Sequence, residues 1–410
     1  MKTASPRSAW LVVTTAFIIM FGYYGTSGSF GLFLKPMEEA LYSSRAAASG
    51  AMSTFMAVSG ILGIITGRLT DKYGPKIIIA VGAFLGGLGY LLMSQVSSLW
   101  QLHVFFGVMV GISMGTCFIP IVATVSKWFA EKRVFAVGMT TVGIAVGQML
   151  LPPVVALFMA EYGWRSSYVL LAIVQWVVAI PAVLFLRTKP KESPSNLLNQ
   201  SGGATLATNP TIGLKQSRKW SPGEVIRTVP FWMFSIIGFV TAAGFYIVLV
   251  HLVAYAIDTG IKPTDAALIL TFINVGLICA QFLVWNLTTK LSSRFTIMIL
   301  LAIQALAIFL LMGTQGFTIL IVLGLIYGFG FGGSNTVRLS MVSEIFGTHS
   351  AGSILGLVTV AWSIGGMCGP ILAGYIFDLT RSYDIAFLVG GLFLTAGAAS
   401  GFFLKAPASR

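Results

Sequence analysis

The sequence predicts an all-α membrane protein with twelve transmembrane helices in two pseudo-symmetric bundles of six. Three observations carry this. First, 56% of the 410 residues are hydrophobic and only 9% are charged, whereas soluble domains carry roughly a quarter charged residues. Such a chain cannot cover a water-facing surface, which excludes a soluble enzyme. Second, the apolar residues gather into twelve runs, most of them long enough to cross a bilayer as a helix. Third, small and basic residues recur between the two halves at an offset of 218 or, for one set of glycines, 217.

The runs fall at about Ala9–Leu34, Ala48–Thr70, Pro75–Val96, Leu99–Phe129, Val134–Ala160 and Ser166–Leu186 in the first half. In the second they fall at about Val229–Ile257, Ala266–Thr288, Phe295–Met312, Thr318–Ile345, Ala351–Leu379 and Ile385–Leu404. In lipid every backbone polar group needs an internal partner, so runs of this length are helices. The short alternating segments of a membrane barrel are not seen. Lys2 and Arg7 precede a first run too long for a signal-peptide core, so it is expected to remain as the first span. With the N-terminus inside, nineteen of the 25 Lys and Arg residues fall at cytoplasmic ends and loops. Five fall outside (Lys35, Arg45, Arg165, Lys262 and Arg381), and Arg338 lies within a helix. This bias predicts an integral plasma (inner) membrane protein with both termini cytoplasmic. The formal charge of +13 therefore reads as topology in a bilayer and not as a nucleic-acid surface.

Residues 188–227 break the apolar pattern with a Ser-, Gly-, Asn- and Thr-rich stretch, expected to be a cytoplasmic linker. It divides a six-helix unit over 1–187 from another over 228–410. Ser221-Pro222-Gly223-Glu224 has the form of a capping box with proline at the first helical position, predicting a short interfacial helix. The halves repeat. Residues 67–76 and 285–294 match at an offset of 218, pairing Leu69 with Leu287, Lys72 with Lys290 and Lys76 with Arg294. The same offset pairs Gly138 with Gly356, Gly147 with Gly365 and Pro152 with Pro370. The glycines at 107, 111 and 115 recur at 324, 328 and 332. Duplicated bundles of this kind hold their site near the midplane between the halves.

Gly67-x-Leu69-x-Asp71-Lys72-x-Gly74-x-Lys76 resembles the loop signature of the major facilitator superfamily between its second and third helices. The resemblance implies a gating role for Gly67, Asp71, Lys72, Gly74 and Lys76, with Asp71 pairing to a neighbouring helix end in one conformation. A plain tight turn with inside charges is the simpler alternative. Trp128-Phe129-x-x-Lys132-Arg133-x-x-Ala136-x-Gly138 is similar to the entry into span five of monocarboxylate transporters and oxalate/formate antiporters. Trp220-Ser221-Pro222-Gly223-Glu224 with Pro230-Phe231-Trp232, and Gly369-Pro370-Ile371-Leu372-Ala373-Gly374-Tyr375-Ile376-Phe377-Asp378, resemble the same group. The departures fall on its charged positions. Gln281 stands where an Arg is usual in span eight, and Leu277 where animal members carry an acid. Gly28 stands in place of a span-one lysine, and Trp362 in place of the span-eleven lysine of oxalate antiporters. The usual anion-binding pair therefore does not transfer.

The chain's own candidate is Arg338. A charge inside a span costs several kcal/mol unless it faces a cavity or a partner. Tyr327, Phe331, Asn335 and Arg338 share one stripe of a helix, and a guanidinium, an amide and aromatic rings suit a small carboxylate. Alternatively, Arg338 snorkels to the cytoplasmic interface. Asn274 and Gln281 in span eight, Gln148 in span five and Tyr23 in span one are further candidates for the cavity wall. Each also has a packing explanation, as interhelical glue or, for Gln148, as the satisfier of a kink at Pro152-Pro153. His251, with Tyr255 one turn on, is the candidate for a proton-linked group or else a solvated interfacial side chain. No cofactor, no metal spacing and no nucleotide loop is found, and the three cysteines lie singly in apolar runs. The expected function is secondary transport of a small organic monoanion of the lactate or pyruvate type, coupled to a proton, with a monomer expected. One intramembrane cation matches one carboxylate, whereas a dicarboxylate leaves a charge unpaired. The alternatives are a carrier for a neutral or hydrophobic solute and a non-transporting sensor of the same fold.

Overall fold

The computed structural model describes residues 6–129, 133–186, 222–346 and 351–404, and among these every regular element is helical. The first crossing joins α1 (Pro6–Gly28) and α2 (Phe30–Ala40) across a break at Ser29. The second and third are α3 (Arg45–Tyr73) and α4 (Pro75–Met93). The fourth is assembled from α5 (Leu99–Leu102), a π-helical stretch His103–Val110, α6 (Gly111–Gly115) and α7 (Phe118–Trp128). Next comes α8 (Arg133–Phe185), whose 53 residues would span about 80 Å if straight, far beyond one bilayer. Gly163, with φ 78° and ψ 165°, breaks it into the fifth and sixth crossings. That break falls at Gly163 and not at Pro152-Pro153, through which the helix runs on.

The second half opens with the four-residue α9 (Pro222–Val225), where the sequence predicted an interfacial helix. The linker expected upstream, including Ser221, lies outside the described residues. There follow α10 (Val229–Asp258), α11 (Pro263–Lys290), α12 (Ser293–Leu311), α13 (Phe317–Phe346), α14 (Ala351–Thr380) and α15 (Asp384–Ser400). Among the described residues, eleven helical stretches are long and apolar enough to cross a membrane. One of them, Phe135–Phe185, is the bent pair, which makes twelve crossings among those residues.

The sequence repeat is a repeat in packing. Side chains at Gly107, Gly111 and Gly115 would run into α3, against the carbonyls of Ala51, Phe55 and Ser59. Side chains at Gly324, Gly328 and Gly332 would run into α11, against the carbonyls of Ile269, Ile273 and Leu277. Likewise Gly147 lies on the Phe21 carbonyl and Gly365 on that of Phe239. Each contacted residue in the second half stands 218 positions after its counterpart. Small residues let backbones approach where lipid gives no hydrophobic drive for helices to associate.

An even number of crossings returns both ends of the described chain to one face, where Trp10 packs edge-on against Phe129 and Phe135 and Arg294 lies 5.9 Å from the Phe402 ring. That face is called near and the other far. The two bundles grip each other toward the far face. Gly31 approaches the carbonyls of Leu249 and Val250, Ser49 Oγ donates to the Pro370 carbonyl at 3.0 Å, and Thr271 Oγ1 donates to that of Met149 at 2.8 Å. The grip of α3 on α14 reaches Gly60, where a Cβ would stand 2.7 Å from Ser363 Oγ. Nearer the near face the two helices part: Ile64 is 68% exposed, Val360 43%, and no described atom lies within 4 Å of a Cβ placed on Gly356. The molecule is shut at the far face and splayed at the near one.

Candidate functional site

Arg338 lies in the second bundle with 5% exposure, so its head does not reach for the membrane surface. Its Nη2 donates to Asn335 Oδ1 at 2.9 Å, one turn back on α13. The guanidinium carbon sits 5.1 Å from the centre of the Trp362 ring on α14. Gly238 of α10 lies beside it, a Cβ there standing at ordinary contact distance, 3.6 Å, from Nη1. Phe331 stacks on Phe245 of α10 at 4.1 Å with planes 9° apart, and lies 6.1 Å from Trp362. Three helices thus bring an aromatic cluster and one cation together. Among the described residues no carboxylate pairs with Arg338, and its buried Nε has no hydrogen-bond partner. A buried cation with a donor left unsatisfied suits an anionic partner, because the donor is already desolvated.

The other expected residues are distributed around this centre. Tyr327 is fully buried on the same stripe with its hydroxyl unpartnered. It stands eleven residues from Arg338, about 16 Å along the axis, too far for one lactate-sized molecule to touch both. Asn274 is buried, its Nδ2 donating to the Leu270 carbonyl at 2.9 Å and its Oδ1 unpartnered. Gln281 is half-buried on the same helix. Gln148 packs on Gly28, where a Cβ would stand 2.8 Å from its Cγ. Tyr23 is turned away from the centre, its hydroxyl donating to the Ile79 carbonyl at 2.7 Å inside the first bundle. There it joins a buried polar group in which Thr26 Oγ1 donates to Gln175 Oε1 at 3.2 Å and Gln175 Nε2 to Ser113 Oγ at 3.4 Å.

His251 is fully buried and belongs to a second centre at the far face. Arg45, counted in the sequence as an outside-loop charge, is 3% exposed there. Its guanidinium meets Glu38 at 2.7 Å, Asp258 at 2.6 Å and the Tyr383 hydroxyl at 2.9 Å, and lies 4.0 Å from the Phe377 ring. Lys35 reaches Asp258 at 2.9 Å. Asp378 accepts the backbone N–H groups of Arg45 and Ala46, both at 2.9 Å, and so caps α3 from the other bundle. A carboxylate there also meets the positive end of the helix dipole. Burial pushes the Tyr383 phenol well above its ordinary range, so it keeps its proton. Arg45, Tyr383, Asp258 and Asp378 form a lock between the halves that the sequence reading missed. Its one visible signal is a cluster of charges at the ends of otherwise apolar runs.

At the near face, Gly74 takes φ 84° in the turn between α3 and α4, a value glycine adopts without strain. Lys76 donates to the Leu184 carbonyl at 3.0 Å. Asp71, with its side chain 77% exposed, reaches only Lys127 of its own bundle, at 3.8 Å. Gly67 lies 3.9 Å, at its would-be Cβ, from Ile119. Lys72 extends over the Tyr73 ring. No bond of this motif crosses to the other bundle among the described residues, as expected with the near face open.

The Major Facilitator Superfamily profile matches residues 16–262 and 234–410. Curated relatives include monocarboxylate transporter 13 of Rattus norvegicus, 29% identical over 97% of this chain and 89% of that protein. Monocarboxylate transporter 2 of Homo sapiens is 24% identical over 95% of this chain and 84% of that protein. Among solved structures, a bacterial homologue of the human lysosomal transporter Spinster, inward-facing and unoccupied, superposes with a TM-score of 0.74. It covers 98% of this chain and 97% of its own at 15% identity. The nucleoside transporter NupG also gives 0.74, at 13% identity over 96% of this chain and 99% of its own. These relatives are carriers and not enzymes. With twelve crossings, a duplicated bundle and a family profile that runs from the first span to the last residue, the chain belongs to the Major Facilitator Superfamily, and its curated relatives there are monocarboxylate transporters.

Proposed function

We propose that this protein carries a small organic monoanion of the lactate or pyruvate class across the plasma membrane, together with a proton, by alternating access. The observation that carries the reading is Arg338: one buried guanidinium with no acid partner among the described residues and an unpartnered Nε, beside Trp362 and the stacked Phe331 and Phe245. The carboxylate takes the place of the missing counter-ion, Asn335 holds the 2-oxygen substituent, and the rings receive the methyl end. A second carboxylate would meet no second cation there, which disfavours dianions. Asn274, Gln281 and Gln148 line the approach, while Tyr23 and Tyr327 serve the packing of their own bundles. The near face is the cytoplasmic one, supported by the Lys and Arg bias of its loops. In the far-closed state the site communicates with the cytoplasm. Asp71 engages the second bundle when the near face shuts.

Uptake of labelled lactate and pyruvate into proteoliposomes tests this. Arg338→Gln is expected to lower saturable uptake at least roughly tenfold, and an imposed inside-alkaline gradient is expected to stimulate the wild type. Unaltered uptake by Arg338→Gln removes the anion anchor. Indifference to the gradient makes the carrier a uniporter or exchanger.

A further inference from the structure

His251 lies in a hydrogen-bond chain whose direction can be read from the chemistry of its ends. Its Nε2 is 2.9 Å from the Pro370 carbonyl, and its Nδ1 is 3.1 Å from the Tyr383 hydroxyl. A carbonyl only accepts, so Nε2 carries the proton, and in the neutral ring Nδ1 is then an acceptor. The Tyr383 oxygen accepts from Arg45 Nη1, and its O–H points on to Nδ1. Donors therefore run one way, from Arg45 to Tyr383 to His251 to Pro370. The two atoms that His251 touches are also the two that α3 grips from the other bundle: Arg45 holds the Tyr383 oxygen, and Ser49 donates to the Pro370 carbonyl at 3.0 Å.

We propose that His251 is a proton-binding site, and that taking up a proton there and closing the far-face lock exclude each other. A proton added at Nδ1 turns the acceptor into a donor. The Tyr383 O–H then faces another donor while its oxygen is held by Arg45, and a cation is sealed where the ring is fully buried. The acids around the ring outnumber the bases, Glu38, Asp258, Asp378 and Asp384 against Arg45 and Lys35, but each acid is already engaged. Arg45 is matched by Glu38 and Asp258, and Lys35 by Asp258. Asp378 spends both oxygens on α3 N–H groups. Tyr255 donates toward the Leu311 and Thr314 carbonyls, and Asp384 is held by Gly313 and Ser382. Hydrogen-bond direction and burial therefore decide. Once α3 withdraws, the Tyr383 oxygen is free to accept from Nδ1–H and far-side water reaches the ring. Acid on the far side thus holds the lock open, and the proton returns to water when the lock closes on neutral His251. The inference goes beyond the proposed function, and its test needs no substrate, so either can fail without the other.

The test uses the full chain in lipid nanodiscs, with Cys117, Cys279 and Cys368 replaced by alanine. Spin labels are placed at Tyr42→Cys and Lys262→Cys, exposed positions on opposite bundles at the far face. Pulsed electron-electron distances are compared at about pH 8 and about pH 5.5, on either side of the ordinary histidine range. Acidification is expected to raise the ratio of long to short distances by about tenfold or more. His251→Gln keeps both hydrogen bonds, its amide N–H serving Pro370 and its oxygen accepting from Tyr383, but takes up no proton. It is expected to show the alkaline distribution at both values. Tyr383→Phe removes the donor to Nδ1 and is expected to move the transition to higher pH. A wild type that does not respond, a His251→Gln protein that shifts like wild type, or a Tyr383→Phe protein with an unmoved midpoint overturns the proposal.

Discussion

Removing the charge of Arg45 tests whether the far-face lock holds the molecule shut. In Arg45→Gln, Glu38 and Asp258 lose the cation they share, and Tyr383 loses its donor. Breaking a buried ion pair costs about 3–5 kcal/mol. Arg45 itself has only 4% of its side chain exposed, but Glu38 has 17% and Asp258 27%, and Lys35 remains on Asp258 at 2.9 Å. Partly solvated partners lower the figure, so about 3 kcal/mol is the expected loss from the far-closed state. At about 1.4 kcal/mol per decade this is roughly a hundredfold rise in the far-open population. Ser53 reads that population. It is 2% exposed with an unpartnered hydroxyl, one turn beyond Ser49 on the face of α3 that meets α14. With the native cysteines replaced and Ser53→Cys introduced, a slow membrane-impermeant maleimide applied at the far face labels in proportion to opening. Arg45→Gln is expected to raise the labelling rate about a hundredfold. A rate within a factor of two or so of the parent would refute the assignment of the lock to this ion cluster.

Other outcomes follow from the same contacts. Asp378→Asn keeps one acceptor for the α3 N–H groups and loses the charge, worth about 1 kcal/mol at a helix start, so the same maleimide rate rises only about fivefold. Trp362→Ala removes the ring beside Arg338, and a desolvated cation–π contact of about 2 kcal/mol predicts a KM for lactate raised roughly thirtyfold in liposome uptake. Gly328→Ala places a methyl group against the Ile273 carbonyl, whereas no described atom lies near Gly356. The former is expected to lower the detergent melting midpoint by about 3 °C or more and Gly356→Ala to leave it unchanged or raised. Asp71→Asn is expected to leave that midpoint unchanged, since its one contact is exposed and long, yet to slow uptake.

What could be read from the sequence follows from which forces act locally. The crossings were legible because lipid selects apolar length, and the repeat was legible because close helix approach admits only small residues at Gly107, Gly111 and Gly115 and their copies. Arg338 stood out because a charge inside an apolar run is costly wherever it points. The aromatic wall around it did not, since Phe245 and Trp362 are apolar residues within apolar runs, and only α10 and α14 packing on α13 turns them toward the guanidinium. Arg45 was read as a loop charge because its partners Asp258 and Tyr383 stand 213 and 338 residues away. Tyr23 was placed on the cavity wall, although its helix turns it to the Ile79 carbonyl; one residue of rotation separates it from half-exposed Tyr24. His251 reads from the sequence as a proton-linked group or a solvated interfacial side chain because it stands near the end of its run, whereas Pro370 of α14 and Tyr383 at the start of α15 hold it inside the bundle.

The anion anchor is tested most directly by comparing Arg338→Lys with Arg338→Gln, both reconstituted at equal density, for concentration-dependent uptake of labelled lactate. Losing charge-assisted hydrogen bonds of about 1.5–3 kcal/mol predicts that the glutamine variant falls roughly ten- to a hundredfold or more in uptake efficiency. The lysine variant, which keeps the charge without the forked geometry, is expected to fall in between. Saturable uptake equal to wild type in the glutamine variant would contradict the account.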